Sequence, residues 1–285
     1  MSFQQRFSNG WAIIKQSLSI LQADKEIALY PILAGIITVG TGICLGIIFV
    51  LGYIGTWIFA KDFLALYGIA TALIWAIISI GIAYLSEAAV ITAAMIRIKG
   101  GDPTFSDGVK GTVKKIFPLL TWAVINAIIT IVIEQLIKIA RKKSKGVGLA
   151  MAVPASIFNF AWKWLTLFVI PVILFEDKSI FESIKRSKEL FMKAWGESFI
   201  GYSVGGIFFL LGLIAVPVIV LAAISQSFWL IVGSIALSII YWTILVILGT
   251  SAIGIAKAAL YYYATTGKIP AIYTKETITS LRSTV

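Results

Sequence analysis

Four charged side chains stand inside otherwise apolar stretches of this sequence: Glu87, Glu134, Lys163 and Lys257. A charge at mid-bilayer costs about 2.5–3.5 kcal/mol on insertion scales, so such residues face a bundle interior, a water-filled path or one another. Phe105-Ser106-Asp107-Gly108 and Phe181-Glu182-Ser183-Ile184 open two similar segments 76 residues apart, and the same step carries Glu87 onto Lys163. That spacing predicts an acid and a base at equivalent depth, paired inside a helical bundle. Glu134 and Lys257 are further intramembrane polar candidates. The pair fits a polar site or pathway, as in a small transporter or channel using Glu87 and Lys163. It equally fits a structural ion pair, or two residues reaching separately toward water or headgroups.

Other chemistry is largely excluded. The chain has no histidine, which removes Ser-His-Asp and Cys-His catalysis, histidine metal sites and histidine pH sensing. The one cysteine, Cys44, has no partner for an intrachain disulfide. No Walker loop, dinucleotide glycine motif, zinc spacing or nucleophile elbow occurs. Nor is there a convergent set of acids, hydroxyls or metal ligands for an intramembrane lipid-modifying enzyme. No cofactor, no metal and no catalytic residue are expected.

The elements that carry these residues read as an all-α polytopic membrane bundle. Hydrophobic residues make up 59% of 285 and charged residues only 13%, far from the soluble average. Six apolar stretches are long enough to span a bilayer. They cover about residues 27–59, 64–97, 118–140, 154–175, 199–224 and 228–263. Lys99-Gly100-Gly101-Asp102-Pro103 stops the second, and Pro171 predicts a kink in the fourth. Gly42-xxx-Gly46, Gly201-xxx-Gly205 and Ala89-xxx-Ala93 fit close helix approach within one subunit or between subunits, which leaves a homo-oligomer or a membrane partner open. Residues 267–285 form a polar tail.

Three amphipathic segments lie between the spans, at about 1–22, 104–117 and 179–195. In the first, Phe3, Phe7, Trp11, Ile14, Leu18 and Leu21 form one stripe, which predicts a helix lying in the membrane interface. In the last, Ser179 can cap the helix, Glu182–Arg186 and Glu189–Lys193 are pairs four apart, and Ile180, Phe181, Ile184, Phe191 and Trp195 make an apolar face. Each segment precedes two spans, so the single membrane domain reads as a threefold repeat of interfacial helix, span, span. Ile272-Tyr273-Thr274-Lys275 begins an unfinished fourth copy.

The net charge of +11 belongs to span ends rather than to a soluble face, so anionic lipid headgroups, not nucleic acid, are the expected partner. Lys110, Lys114, Lys115, Lys185, Arg186, Lys188 and Lys193 are the contact candidates. With both termini cytoplasmic in the cell membrane, sixteen Lys and Arg lie on the inner side and six on the outer. The cluster from Lys138 to Lys145 is the discordant outer group, and fits a hairpin projecting beyond the surface.

Pro171-xxx-Phe175-Glu176-Asp177, followed by Phe181-xx-Ile184-x-Arg186-Ser187-xx-Leu190-xxxx-Trp195, resembles a pattern in uncharacterised prokaryotic multi-pass membrane proteins. Among these is the membrane domain attached to some glycerophosphodiester phosphodiesterases. The resemblance implies six helices with interfacial helices between them, and no activity. In the fused enzymes the catalytic part is a separate soluble barrel, which is missing from this chain. The expected role is therefore that of a non-enzymatic membrane protein, organising lipids or a partner complex.

Overall fold

A computed structural model describes residues 3–59, 63–142, 158–159, 161–194 and 204–270, and all regular structure among them is helical. The order is α1 (Phe3–Ala23), a 3-10 turn (Lys25–Ala28), α2 (Leu29–Phe59), α3 (Leu64–Ile98), α4 (Phe105–Val113) and α5 (Ile116–Lys142). After a helical stretch at 161–165 come α6 (Val169–Phe175), α7 (Ile180–Ala194), α8 (Val204–Gly212), α9 (Ala215–Ile224) and α10 (Phe228–Thr266). Gly100 and Gly267, at φ +88° and +71°, end α3 and α10 in the left-handed conformation that glycine adopts without strain.

Five helical segments, not six, are long and apolar enough to cross a bilayer among the described residues. They are Lys25–Gly55, Leu64–Ile98, Ile116–Ile139, Ile207–Ile224 and Phe228–Thr266. The expected fourth span is represented by the shorter apolar stretch Ala161–Phe175. At 1.5 Å per residue it covers about 22 Å, less than a hydrocarbon core of about 30 Å. Residues 154–157 of that span lie outside the described residues, as do Gly201 and residues 272–275.

Pro171 and Pro217 break their helices a turn upstream, where a proline ring collides with the carbonyl four residues back. Residues 166–168 tighten into turns closed by Leu167 N–H to Trp164 O (3.1 Å) and Val169 N–H to Thr166 O (3.1 Å). The buried Phe168 N–H donates to the Ser187 hydroxyl on α7 at 3.0 Å. The break between α8 and α9 is matched from α10, whose Tyr241 hydroxyl donates to Leu211 O at 2.8 Å.

Packing is concentrated at one end. Ala88–Met95 of α3 is buried throughout and shares one core with Ile255, Ala258 and Ala259 of α10, Phe168 just before α6, Val172 of α6, Leu119 of α5 and Ile20 and Ile27 from the chain start. Alanine and glycine permit the close approach. A Cβ on Gly254 would stand 2.6 Å from Val90 Cγ1, and one on Gly111 would stand 2.6 Å from Thr92 Cγ2. Gly42 of the expected Gly42-xxx-Gly46 contact does meet Trp75 of α3, whereas Gly46 faces open space. At the other end the helices splay, and Ile36, Leu51, Leu66, Ile239 and Val246 are more than half exposed. Contiguous apolar surface on that scale calls for lipid or another protein rather than water.

α1 buries one face against the bundle. Ile13, Ile14, Ser17, Ile20 and Leu21 are buried, and the helix packs against α10 and α8. Only Trp11 of the described part of the predicted stripe stays substantially exposed, at 48%.

Candidate functional site

Glu87 of α3 pairs with Lys257 of α10, not with Lys163. Gly254 brings the two helices together beside the pair, its Cβ position 2.6 Å from Val90 and 3.9 Å from the Glu87 carbonyl. Both charged side chains are about a quarter exposed, 24% and 23%. Lys163 is exposed and makes no ion pair among the described residues; so does Glu134 on α5. A physical reason for the miss lies in the helix caps. Thr104 and Asp107 form a reciprocal capping box at the start of α4, and Ser179 and Glu182 do the same at α7. Cap to cap the step is 75 residues, from 104 to 179 and from 107 to 182, not 76. One residue turns a helix by 100°, so Lys163 leaves the face that Glu87 presents.

A second polar chain lies one turn from Glu87. Trp162 Nε1 donates to Asn126 Oδ1 at 2.8 Å, and Asn126 Nδ2 donates to the Tyr84 hydroxyl. It ties α3, α5 and the 161–165 stretch together. The signal was available: Asn126 is the one amide side chain between Phe117 and Ile133.

The packed end is ringed with charge. Arg97 at the end of α3 donates through Nε and Nη2 to the buried Asp24, and through Nη2 to Asp102 at 2.7 Å. Glu26 accepts from the Phe105 N–H. Tyr30 donates to Phe105 O at 3.0 Å and stacks on the Phe105 ring, centroids 5.0 Å apart. Lys115 pairs with Asp177. Arg186 Nε reaches Glu176 at 2.9 and 3.2 Å, and Tyr261 donates to the same carboxylate at 3.0 Å. These contacts dock α4 and α7 onto the bundle; sequence reasoning did not find Asp24, Glu26 or Tyr261, and had Glu176 only as part of the 171–195 pattern.

Two of the seven basic candidates are therefore engaged internally, Lys115 and Arg186. Lys110, Lys114, Lys185, Lys188 and Lys193 are exposed, with no ion pair among the described residues. The expected Glu182–Arg186 pair gives way to Glu176, because the guanidinium fork reaches across the turn before α7, with Glu189 3.6 Å from its other arm. Glu182 is held by the cap instead, its carboxylate accepting from Ser179 N–H at 3.0 Å and Ser179 Oγ at 2.7 Å. Hydrogen bonds from the cap hydroxyl, then from the cap amide, hold both the Glu182 and the Asp107 carboxyls below their ordinary range.

α4 and α7 share a design. Gly108 and Thr112 of the first, and Ser183 and Ser187 of the second, form small buried faces at the same 75-residue step. Around the other sides stand lysines and exposed apolar residues: Val109 and Val113 on α4, Phe181 and Met192 on α7. Phe181 of the expected apolar face is 82% exposed, whereas Phe191 of that face is buried, together with Leu190. Among the described residues no group of three or more acids or cysteines could hold a metal ion.

No curated protein and no solved structure matches the chain. Nothing in these comparisons points to a glycerophosphodiester phosphodiesterase, so the resemblance noted over residues 171–195 lends no function. One family model does match, over residues 65–271, a range that holds α3 to α10 and with them the Glu87–Lys257 pair and the capped helices α4 and α7. The chain belongs to that family, described as a family of unknown function, DUF6159.

Proposed function

We propose that the protein is a non-enzymatic, multi-pass integral membrane protein of the cell membrane, whose packed end rests against anionic headgroups and organises lipid or a membrane partner there. What carries this reading is the outward side of α4 and α7. Each helix buries a small-residue face against the bundle and turns both apolar side chains and unpaired lysines away from it. That is the distribution an interfacial helix needs, with apolar groups toward acyl chains and lysines reaching the phosphates. Five such lysines near an anionic surface contribute at most about 5 kcal/mol, at about 1 kcal/mol each. Placing this end and both termini in the cytoplasm accords with the sixteen-to-six bias in basic residues.

The test uses the full chain in lipid nanodiscs. Phosphatidylglycerol is expected to stabilise the protein over phosphatidylcholine, and replacing Lys110, Lys114, Lys185, Lys188 and Lys193 by Gln is expected to erase the difference. A lipid preference unchanged by all five replacements overturns the reading. A small transporter or channel is the second reading, favoured by an acid–base pair between two helices of spanning length. Its polar residues would be Glu87 and Lys257, with Lys163 exposed elsewhere. Liposome flux at background for both wild type and Glu87→Gln counts against it.

A further inference from the structure

Contacts between helices fix their relative depth. Gly42 and Gly52 of α2 meet Trp75 and Tyr67 of α3, so the two run antiparallel and Leu33 lies level with Tyr84. α10 runs parallel to α3: Gly254 meets Val90, and further on Phe175 lies against both Tyr261 and Lys99. Gly249, one turn before Gly254, is therefore close to the level of Tyr84. On all three helices the exposed apolar surface ends at that level. It covers Leu33 to Ile54 on α2, Phe63 to Ala83 at α3 and Phe228 to Val246 on α10. Beyond it Ala88–Met95 is buried, and no residue from Ser251 to Ala264 is exposed. At 1.5 Å per residue the three stretches measure about 32, 30 and 27 Å, which matches a hydrocarbon core of about 30 Å. Phe63, Phe228 and Trp229, all strongly exposed, mark the far edge, as aromatic side chains do at a membrane boundary. α5 agrees at the near edge. A Cβ on Gly81 would stand 3.0 Å from Leu120 Cδ2, so the exposed Phe117, one turn earlier, enters level with Tyr84, and Lys114 and Lys115 lie just outside.

We propose that the inner edge of the hydrocarbon core crosses the bundle at Leu33, Tyr84, Phe117 and Gly249, so that the Glu87–Lys257 pair lies in the phospholipid headgroup layer and the packed end projects through that layer toward water. Counted along α3 from Tyr84, Glu87 is about 5 Å beyond the edge and the helix ends about 21 Å beyond it. α4 touches α3 at Ala89 and Thr92, about 8–12 Å beyond. The polar layer on each side of a bilayer is about 5–8 Å deep. The exposed quarter of Glu87 and Lys257 then meets headgroups and water, which solvate a charge as acyl chains do not. This rests on the reading of the packed end as headgroup-facing and gives it a depth. It also takes the acid–base pair out of the middle of the bilayer, where the sequence pattern had put an acid and a base.

The experiment measures depth on the full chain in phosphatidylcholine nanodiscs. Single cysteines at Ile240, Thr250, Ile253 and Leu260 of α10, in a Cys44→Ser background, carry a nitroxide. Its relaxation is compared under oxygen, which concentrates among acyl chains, and under a water-soluble nickel chelate. Oxygen is expected to dominate at Ile240 and nickel at Ile253 and Leu260, with the ratio reversing near Thr250. Ile77→Cys and Ser86→Cys on α3 repeat the two sides of the edge should an α10 variant misfold. Oxygen dominating at Ile253 and Leu260 overturns the proposal, because the pair is then immersed in acyl chains. Nickel dominating at Ile240 overturns it too, because the splayed helices then line water instead of lipid. Neither result alters the lipid preference read from the five lysine replacements, so the proposed depth can fail with the headgroup-facing reading intact.

Discussion

Removing one partner of the Glu87–Lys257 pair should cost far more than removing both. Lys257→Met leaves a carboxylate between α3 and α10 with no cation; Glu87→Met leaves an ammonium. Breaking a fully buried pair costs about 3–5 kcal/mol, and about a quarter exposure on each side chain reduces this to about 2–3 kcal/mol. Glu87→Met/Lys257→Met places two flexible apolar side chains where the pair was, and is expected within about 1 kcal/mol of wild type. The coupling between the sites is then about 2 kcal/mol or more and favourable, against the few tenths expected of residues that do not touch. Unfolding of the four proteins in bicelles, by titration with a denaturing detergent, closes the cycle. Additive single variants would refute the pairing. A double variant as unstable as the worse single variant would refute the claim that an unpaired charge is the cost. The same proteins separate structure from transport: a doubly apolar protein that folds but loses a measured flux has lost a site, not a brace.

Further outcomes follow from the packed end. Ser187→Ala strips the acceptor from the buried Phe168 N–H and should destabilise by about 1–3 kcal/mol in thermal unfolding, where Ser187→Thr keeps the hydroxyl. Gly254→Leu drives a side chain into Val90 and should separate α3 from α10, read as a cross-linking yield between cysteines on the two helices. Glu182 and Asp107 have folded-state pKa values below their unfolded ones, so their caps stabilise above the ordinary carboxylate range near pH 4 and are lost as pH falls through the depressed values. Hydrogen exchange in the first turns of α4 and α7 should accelerate on acidification, and Glu182→Gln should flatten that dependence for α7 alone. Cysteines at Lys114 and Lys188 should label from the same side of a sealed vesicle; opposite sides would sink the common orientation of the two helices.

Much of the architecture was legible in the chain because lipid-length helices need only composition and length. α2, α3, α5 and α10 fall within a few residues of the expected spans, and the glycine-proline stop after α3 is where it was expected. What sequence could not reach was lateral choice. Which acid meets which base depends on helix rotation, and the one residue between the expected 76-residue step and the 75 residues that separate the two caps turns a face by 100°. Glu87 therefore met Lys257 rather than Lys163. Local rules failed likewise where a better partner lay outside the helix: the four-residue spacing favours Glu182 for Arg186, but Glu176 offers two oxygens and a tyrosine beside it. Asn126 shows the opposite case, the one amide in an apolar run, which could have been flagged from composition.

The two proline breaks show why the polar groups fall where they do. An α-helix in a low-dielectric environment satisfies its own backbone, and a proline cancels that property at one carbonyl and one amide. An unpaired amide or carbonyl there costs several kcal/mol, so a break favours polar partners from neighbouring helices. Beside the Pro171 break Ser187 accepts from the Phe168 N–H, and beside the Pro217 break Tyr241 adds a second donor to Leu211 O, which also accepts from the Ile214 N–H. Because a serine reaches only a short way, Ser187 can do this only if α7 lies flat against α6. The hydroxyl therefore fixes the orientation of α7, which in turn sends Lys185 and Lys188 outward. The outward charge of α7 is thus tied to a contact beside a backbone break in a neighbouring helix. Ser187→Ala should accordingly weaken the lipid preference of the protein without altering a single lysine, while Tyr241→Phe, remote from α7, should lower stability and leave that preference intact.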